Sequence, residues 1–275
     1  MSATTRGFTL VTYVAMLDVP RHVVELLARL LAAHRRRIGP KRSRALGPFR
    51  QAVPVLRWFR ERGCVHCAWP VTPGISQATG YRYLHEGIDV LADPAPDLHE
   101  VLSRCQREGT THVILDGTLT ESNRLAGVRD NGNDLWFSQK HRPFGGNIQF
   151  LAAPDGTPLW VSDIEPGSTP DITAARIHAL PALYKAAAGV LPTLADKGYI
   201  GAGIGIPIPV RRPKGQSEPA LHVDTRVFNT LLRHVRAVGE RTVAELKQRW
   251  RTLHVTLSPS RIGDIARAAL VLNGG

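Results

Sequence analysis

The chain has 275 residues, enough for one large domain or two of ordinary size, and 43% of them are hydrophobic, which excludes wholesale disorder. A formal charge of +12 excludes an acidic, solvating role and points to a polyanionic partner. Thirteen arginines and Lys41 stand against Asp18, Glu25 and Glu61 in residues 1–82, so that stretch carries +11 and the remainder only +1, the footprint of a nucleic-acid-binding module ahead of a near-neutral body.

In chain order, residues 8–17 (FTLVTYVAML) are apolar but short, and they run into Asp18 and Pro20. They read as neither signal peptide nor membrane span. Three cysteines and no secretory start make a reducing cytoplasm, alongside the nucleoid, the expected location. Asp18 as cap and Pro20 in the first turn predict a helix carrying Val23, Val24, Leu26, Leu27, Leu30 and Leu31 at helical spacing to about residue 34. Gly39-Pro40 ends it, inside a basic link, RRRIGPKRSR (35–44).

A second helical unit is predicted over about 48–92. PFRQAVPVLRWFRERG reads as one helix through Pro54, and Ser76 caps a second, QATGYRYLHEGIDVLA. This order resembles a helix-turn-helix, with Gln77, Thr79 and Arg82 facing DNA and Ile75, Tyr83 and Leu84 packing inward. Pro70 and Pro73 make residues 64–74 a poor middle helix. Cys64-x-x-Cys67 invites a zinc reading, but no second pair exists, since Cys105 is distant and alone. Residues 93–96 (DPAP) read as a linker, dividing a basic helical DNA-binding region (1–95) from a second domain (108–272).

After a short helix at 97–107 the periodicity changes. THVILD (111–116) reads as a buried strand ending at Asp116, 134–138 as a second strand, and 146–153 with 158–163 as a hairpin. Thr169 caps a helix expected to reach about 188; VLPTLA (190–195) and residues 206–210 read as strands, and the chain from about 225 as helix. The pattern predicts an α/β fold with a mixed sheet flanked by helices.

Three carboxylates stand out. Asp116 and Asp196 each follow an apolar run, where a strand end holds a carboxylate rigidly at the sheet edge. Asp171 competes with Asp196, but a place in the first turn of a helix explains it without any ligand. Glu240 shares a helix face with Arg233, Arg236, Val243 and Lys247; an Arg236–Glu240 pair is its ordinary explanation, and Glu245 is the fallback.

The ordered set LDGT (115–118), NIQFLAAPDGTPLWVSDIEPGSTPD (147–171), LADKGY (194–199) and R-x-x-x-E-R-x4-L-K-x-R-W, ending at Trp250, is similar to the DDE transposases of bacterial insertion sequences, in the group related to Harbinger elements. The resemblance covers about residues 45–272. It implies a ribonuclease-H-like catalytic domain behind an all-α helix-turn-helix domain, with Asp116, Asp196 and Glu240 as catalytic residues and ligands of two Mg²⁺ ions, replaceable by Mn²⁺. It implies double-stranded DNA as partner, both element ends and target, and a homo-oligomer on paired ends. Expected DNA contacts are Arg35, Arg36, Arg37, Lys41, Arg42 and Arg44 in the basic link, Gln77, Thr79 and Arg82 in the second helix, Lys140 and Arg142 in a basic loop with His141, and Lys197, Arg236 and Lys247. The alternatives are a catalytically inactive or domesticated DNA-binding protein derived from such an element, and a nuclease without strand joining.

Overall fold

The computed structural model describes residues 17–39, 44–61, 75–123, 125–211, 221–251, 254–255 and 257–274. Lys41, Arg42, Cys64 and Cys67 lie outside the described residues, as does the Arg236 side chain.

The first helix, α1 (Arg21–Ile38), buries Val23, Val24, Leu27 and Leu31 along one stripe. It runs further than expected: Arg35, Arg36 and Arg37 form its last turn, where cations complement the helix dipole, and are not part of a link. Asp18 does not cap it. Pro20 occupies the N-cap, and Asp18 instead takes the Arg60 guanidinium. Helix α2 (Pro48–Arg60) passes through a buried Pro54. Helix α3 (Gln77–Ala92) starts at Ser76, whose hydroxyl accepts from Thr79 N–H. It crosses α2 at Gly87, where a Cβ would lie 2.7 Å from a Val55 methyl. Asp97 caps α4 (Leu98–Arg107).

The sheet has the order β3–β2–β1–β4, with β5 also on β1. Strands β1 (Val113–Ser122), β2 (Gly145–Ala152) and β3 (Pro158–Pro166) form an antiparallel meander. Strands β4 (Thr193–Leu194) and β5 (His254–Val255) both run parallel to β1, β4 at Val113–Ile114 and β5 at Glu121–Ser122. β1 therefore continues past Asp116 to Ser122, because residues 117–121 keep pairing with β2.

Two other expected strands are absent among the described residues. Asp134 and Phe137 make only isolated bridges, to Val128 and Phe144. The start of the 206–210 stretch lies beside β4, with the Gly205 carbonyl accepting from Thr193 N–H and the Pro207 carbonyl from Ala195 N–H. Pro207 and Pro209 have no N–H to return, so no ladder forms, and β4 stays at two residues. The helix expected over 169–188 breaks at Ala179 into α5 (Asp171–His178) and α6 (Leu180–Ala188), with Pro181 in the first turn of α6.

Alternation along β1 feeds two cores. Ile114 faces a cluster shared with Leu27, Trp58, Leu84, Leu246 and Ile265, drawn from α1, α2, α3, α7 (Val223–Arg249) and α8 (Ile262–Gly274). Val113 and Leu115 face the cluster of α4, α5 and α6. The mixed sheet flanked by helices is thus the expected class. The N-terminal helices do not stand apart from it: Arg60 donates to the Arg249 carbonyl at 2.7 Å, and Phe59 meets Trp250 edge-on.

Candidate active site

Along β1's outer edge β4 stops at Ile114 and β5 begins at Glu121. Between them the edge is parted, with no strand partner among the described residues. Asp116 stands just past the point where β4 leaves, half-buried, one oxygen accepting from Gly117 N–H at 2.8 Å. Asp196 follows β4 by two residues and caps a short 3-10 turn, Lys197–Tyr199, by accepting from Gly198 N–H at 2.7 Å. Parallel strands that diverge leave a crevice at their carboxyl ends, and both carboxylates border it.

A third carboxylate enters that crevice. Asp171 is the first residue of α5, behind Pro170 at the N-cap. Its Oδ1 lies where a Gly117 Cβ would be 2.5 Å away, and its Oδ2 would be 3.3 Å from a Gly198 Cβ. The two glycines beside Asp116 and Asp196 thus make room for Asp171. Lys140 Nζ donates to Asp171 Oδ2 at 2.8 Å and Asn147 Nδ2 to Asp171 Oδ1 at 2.8 Å. Behind them Gln149 Nε2 donates to Asn147 Oδ1 at 3.0 Å, and Tyr199 OH to Gln149 Oε1 at 2.6 Å. Sequence reading passed over Asp171 as a helix-start residue. The signal that finds its setting is the polar pair Asn147 and Gln149, alternating inside an otherwise apolar strand.

The charges bear on one another. Burial alone would lower the Lys140 ammonium, but the Asp171 bond and the fields of Asp171, Asp196 and Asp116 outweigh it and hold it above its ordinary value. Burial, then the same three aspartates, pushes the Tyr199 phenol well up. Burial first, and the Lys140 charge second, lowers His141.

On the face of β1 that carries Ile114 and, two residues on, Asp116, away from the Gly117 face that Asp171 meets, Gly239 lets α7 approach until a Cβ there would be 2.8 Å from an Ile114 methyl. Glu240 is the next residue in that helix and is exposed, as is Glu245. Further along α7, Lys247 Nζ donates to the Leu119 carbonyl at 2.8 Å. Burial lowers the Lys247 ammonium, against the fields of Glu121 and Asp116. Its charge is directed at β1. A cleft of about 750 Å³ adjoins the site, bordered by Lys140, Asn147, Asp171 and Gly198 on one side and by Arg129, Phe137 and His141 on another. Arg142, with φ 70°, and Lys197 are exposed nearby.

The N-terminal cations gather elsewhere. Arg35, Arg36, Arg44, Thr79 and Arg82 line one cleft of about 1030 Å³ between α1 and α3. Arg35 binds the Leu46 carbonyl and Gln51, and Arg44 pairs with Glu86. Burial, then Arg44's charge, lowers Arg35. Arg36 and Arg37 are exposed, Arg37 lying 3.9 Å from Asp93. Arg82 is exposed and donates to Thr79 Oγ1 at 2.8 Å; Gln77 is exposed, and Tyr83 and Leu84 are buried.

Among the described residues no group of three or more His, Cys, Asp or Glu side chains is placed to hold a metal ion. The side chains bordering the crevice offer hard carboxylate oxygens, a donor type that suits Mg²⁺ or Mn²⁺, and one of them, Asp171, already takes the Lys140 ammonium. No described helix is long and apolar enough to cross a membrane. No curated protein matches the chain, and no solved structure does. Residues 115–273 match the family described as DDE superfamily endonuclease, one whose substrate is DNA. The match begins one residue before Asp116 and runs through Asp196 and Glu240 into α8, more than half of the chain, and the chain therefore belongs to the DDE superfamily endonucleases.

Proposed function

We propose that the chain is a transposase that cuts and rejoins DNA at the ends of an insertion sequence, with Asp116, Asp196 and Glu240 as its catalytic carboxylates. The observation that carries this reading is the parted edge of β1: two aspartates border it, and α7 is pressed onto the same strand with Glu240 beside the contact. An antiparallel meander with parallel strands added beyond β1 supports a ribonuclease-H-like sheet. Asp116, Asp196 and Glu240 would hold the divalent ions. Bound there, the ions supply an activated attacking oxygen and charge neutralisation at the phosphate.

The chain's own residues do the rest. Lys140 and His141 line the cleft leading to the crevice, where a DNA strand would lie, with Arg142 and Lys197 exposed nearby. Arg36, Gln77 and Arg82, exposed on α1 and α3, would hold the terminal repeat, with Arg35 and Arg44 fixing the groove that presents them. Arg37 would extend that face, Lys41, Arg42 and Arg236 are proposed as DNA contacts from their charge in the sequence alone, and Lys247 acts from inside, against β1.

The test is a plasmid bearing the element's terminal repeats, incubated with Mg²⁺ or Mn²⁺. The wild type is expected to nick and join at the repeats, and Asp116→Ala and Glu240→Ala to lose both activities by a factor of about 10³ or more. Equal nicking by wild type and Asp116→Ala sinks the assignment. Binding to the repeats without any cleavage supports a domesticated DNA-binding protein instead.

A further inference from the structure

We infer that Asp171 is a positioning residue for Lys140: it holds the ammonium beside Asp116 and Asp196, where it grips the phosphate next to the cut, and the buried chain Asn147–Gln149–Tyr199 holds Asp171. This rests on the strand-cleavage reading.

Four observations lead there. Asp171 is the first residue of α5, whose N-cap is Pro170, and its carboxylate is oriented by side-chain donors, Lys140 and Asn147, so the helix start alone does not account for its orientation. Each of its oxygens takes a separate donor, Lys140 Nζ on one and Asn147 Nδ2 on the other. The chain behind it runs in one sense: Tyr199 donates to Gln149, Gln149 to Asn147, and Asn147 to Asp171. Asn147 also donates to the Thr169 carbonyl at 3.0 Å, which fixes its amide plane.

Gln149 and Tyr199 are wholly buried and Asn147 nearly so. Buried amides are costly unless fully bonded, and a satisfied network of this kind is rigid. Rigidity ends at Lys140, whose side chain is 59% exposed and reachable by a large ligand. Lys140 rides on a turn closed by Arg142 N–H to the Ser138 carbonyl and Ser138 N–H to the Pro143 carbonyl. The turn sets its height and Asp171 sets its direction. Tyr199 belongs to the same short turn that Asp196 caps, so one buried chain aligns an aspartate of the site and Lys140 together.

The experiment is a double-mutant cycle on the full chain, cutting the terminal-repeat plasmid, with Lys140→Ala, Asp171→Asn, the double variant and Tyr199→Phe. Asp171→Asn is expected to lower kcat by about tenfold or more with little change in KM, the size of one charge-assisted hydrogen bond. The double variant is expected to be no worse than Lys140→Ala. Tyr199→Phe keeps the ring and removes one hydroxyl, and is expected to lower kcat a few-fold.

A second readout needs no cleavage: the NMR titration of ¹³C-dimethylated lysines, with the Lys140 signal assigned from Lys140→Arg. Its midpoint is expected to fall in Asp171→Asn and, less, in Tyr199→Phe. Additive losses in the cycle, or a Lys140 signal that neither variant moves, overturn the inference. Cleavage that survives Asp116→Ala overturns the strand-cleavage reading instead, and the NMR arm still decides whether Asp171 holds Lys140.

Discussion

Gly117 acts through the atom it lacks. A methyl group there would meet Asp171 Oδ1 at 2.5 Å and Gln149 Nε2 at 2.9 Å, both held in the buried chain. Gly117→Ala is therefore expected to displace the Asp171 carboxylate, costing about 1–3 kcal/mol of stability by overpacking and at least as much of the cleavage rate as Asp171→Asn. Urea denaturation and plasmid nicking measure the two effects, and wild-type values for both would mean that Asp171 is free to move. The same residue shows where a sequence stops informing. Asp116 and Asp196 are visible because a charge after an apolar run is conspicuous. Asp171 is hidden because Pro170-Asp171 is a sufficient helix start by itself, and its partner Lys140 lies 31 residues away in a loop.

At the scale of elements, α7 and β1 decide whether Glu240 and Asp116 can serve one site. Their approach depends on Gly239, which replaces a side chain with contact to Ile114. In an exposed helix, glycine to alanine would gain about 1 kcal/mol from propensity alone. Against a buried Ile114 methyl at 2.8 Å, Gly239→Ala is expected to lose about 1–3 kcal/mol net and to impair cleavage by moving Glu240. A stabilised variant in chemical denaturation would show that α7 is not seated there. Periodicity located α3, α4 and α7 and the β2–β3 hairpin. It placed the end of β1 too early, since nothing local tells that Gly117–Glu121 pairs with β2. It overcounted strands at 206–210, where Pro207 and Pro209 leave the backbone extended but unable to donate.

At the scale of the molecule, composition divided the chain into a basic front and a neutral body, yet packing joins them. Charge is a surface property and gives no information about which apolar faces meet. Trp250, Leu246 and the buried face of α8 lie in the cluster that α1, α2 and α3 complete. Residues 96–275 expressed alone are thus expected to expose that face and to aggregate or melt without a cooperative transition, as circular dichroism and light scattering would show. A soluble, cooperatively folding fragment would establish residues 1–95 as a separate unit.

That joined core also bears on how such a chain can change its choice of DNA. A recognition unit on a flexible tether can be exchanged whole by recombination between genes, because each part folds regardless of the other. Here Gly87 against Val55, Arg60 on the Arg249 carbonyl and Phe59 against Trp250 tie the helices carrying the basic groove to the end of the helix carrying Glu240. An exchanged front would have to match those contacts before it could fold. If the proposed DNA contacts hold, new specificity is open to this architecture through single substitutions at the exposed positions Arg36, Gln77 and Arg82, and the basic groove and the β1–α7 site are inherited as one piece.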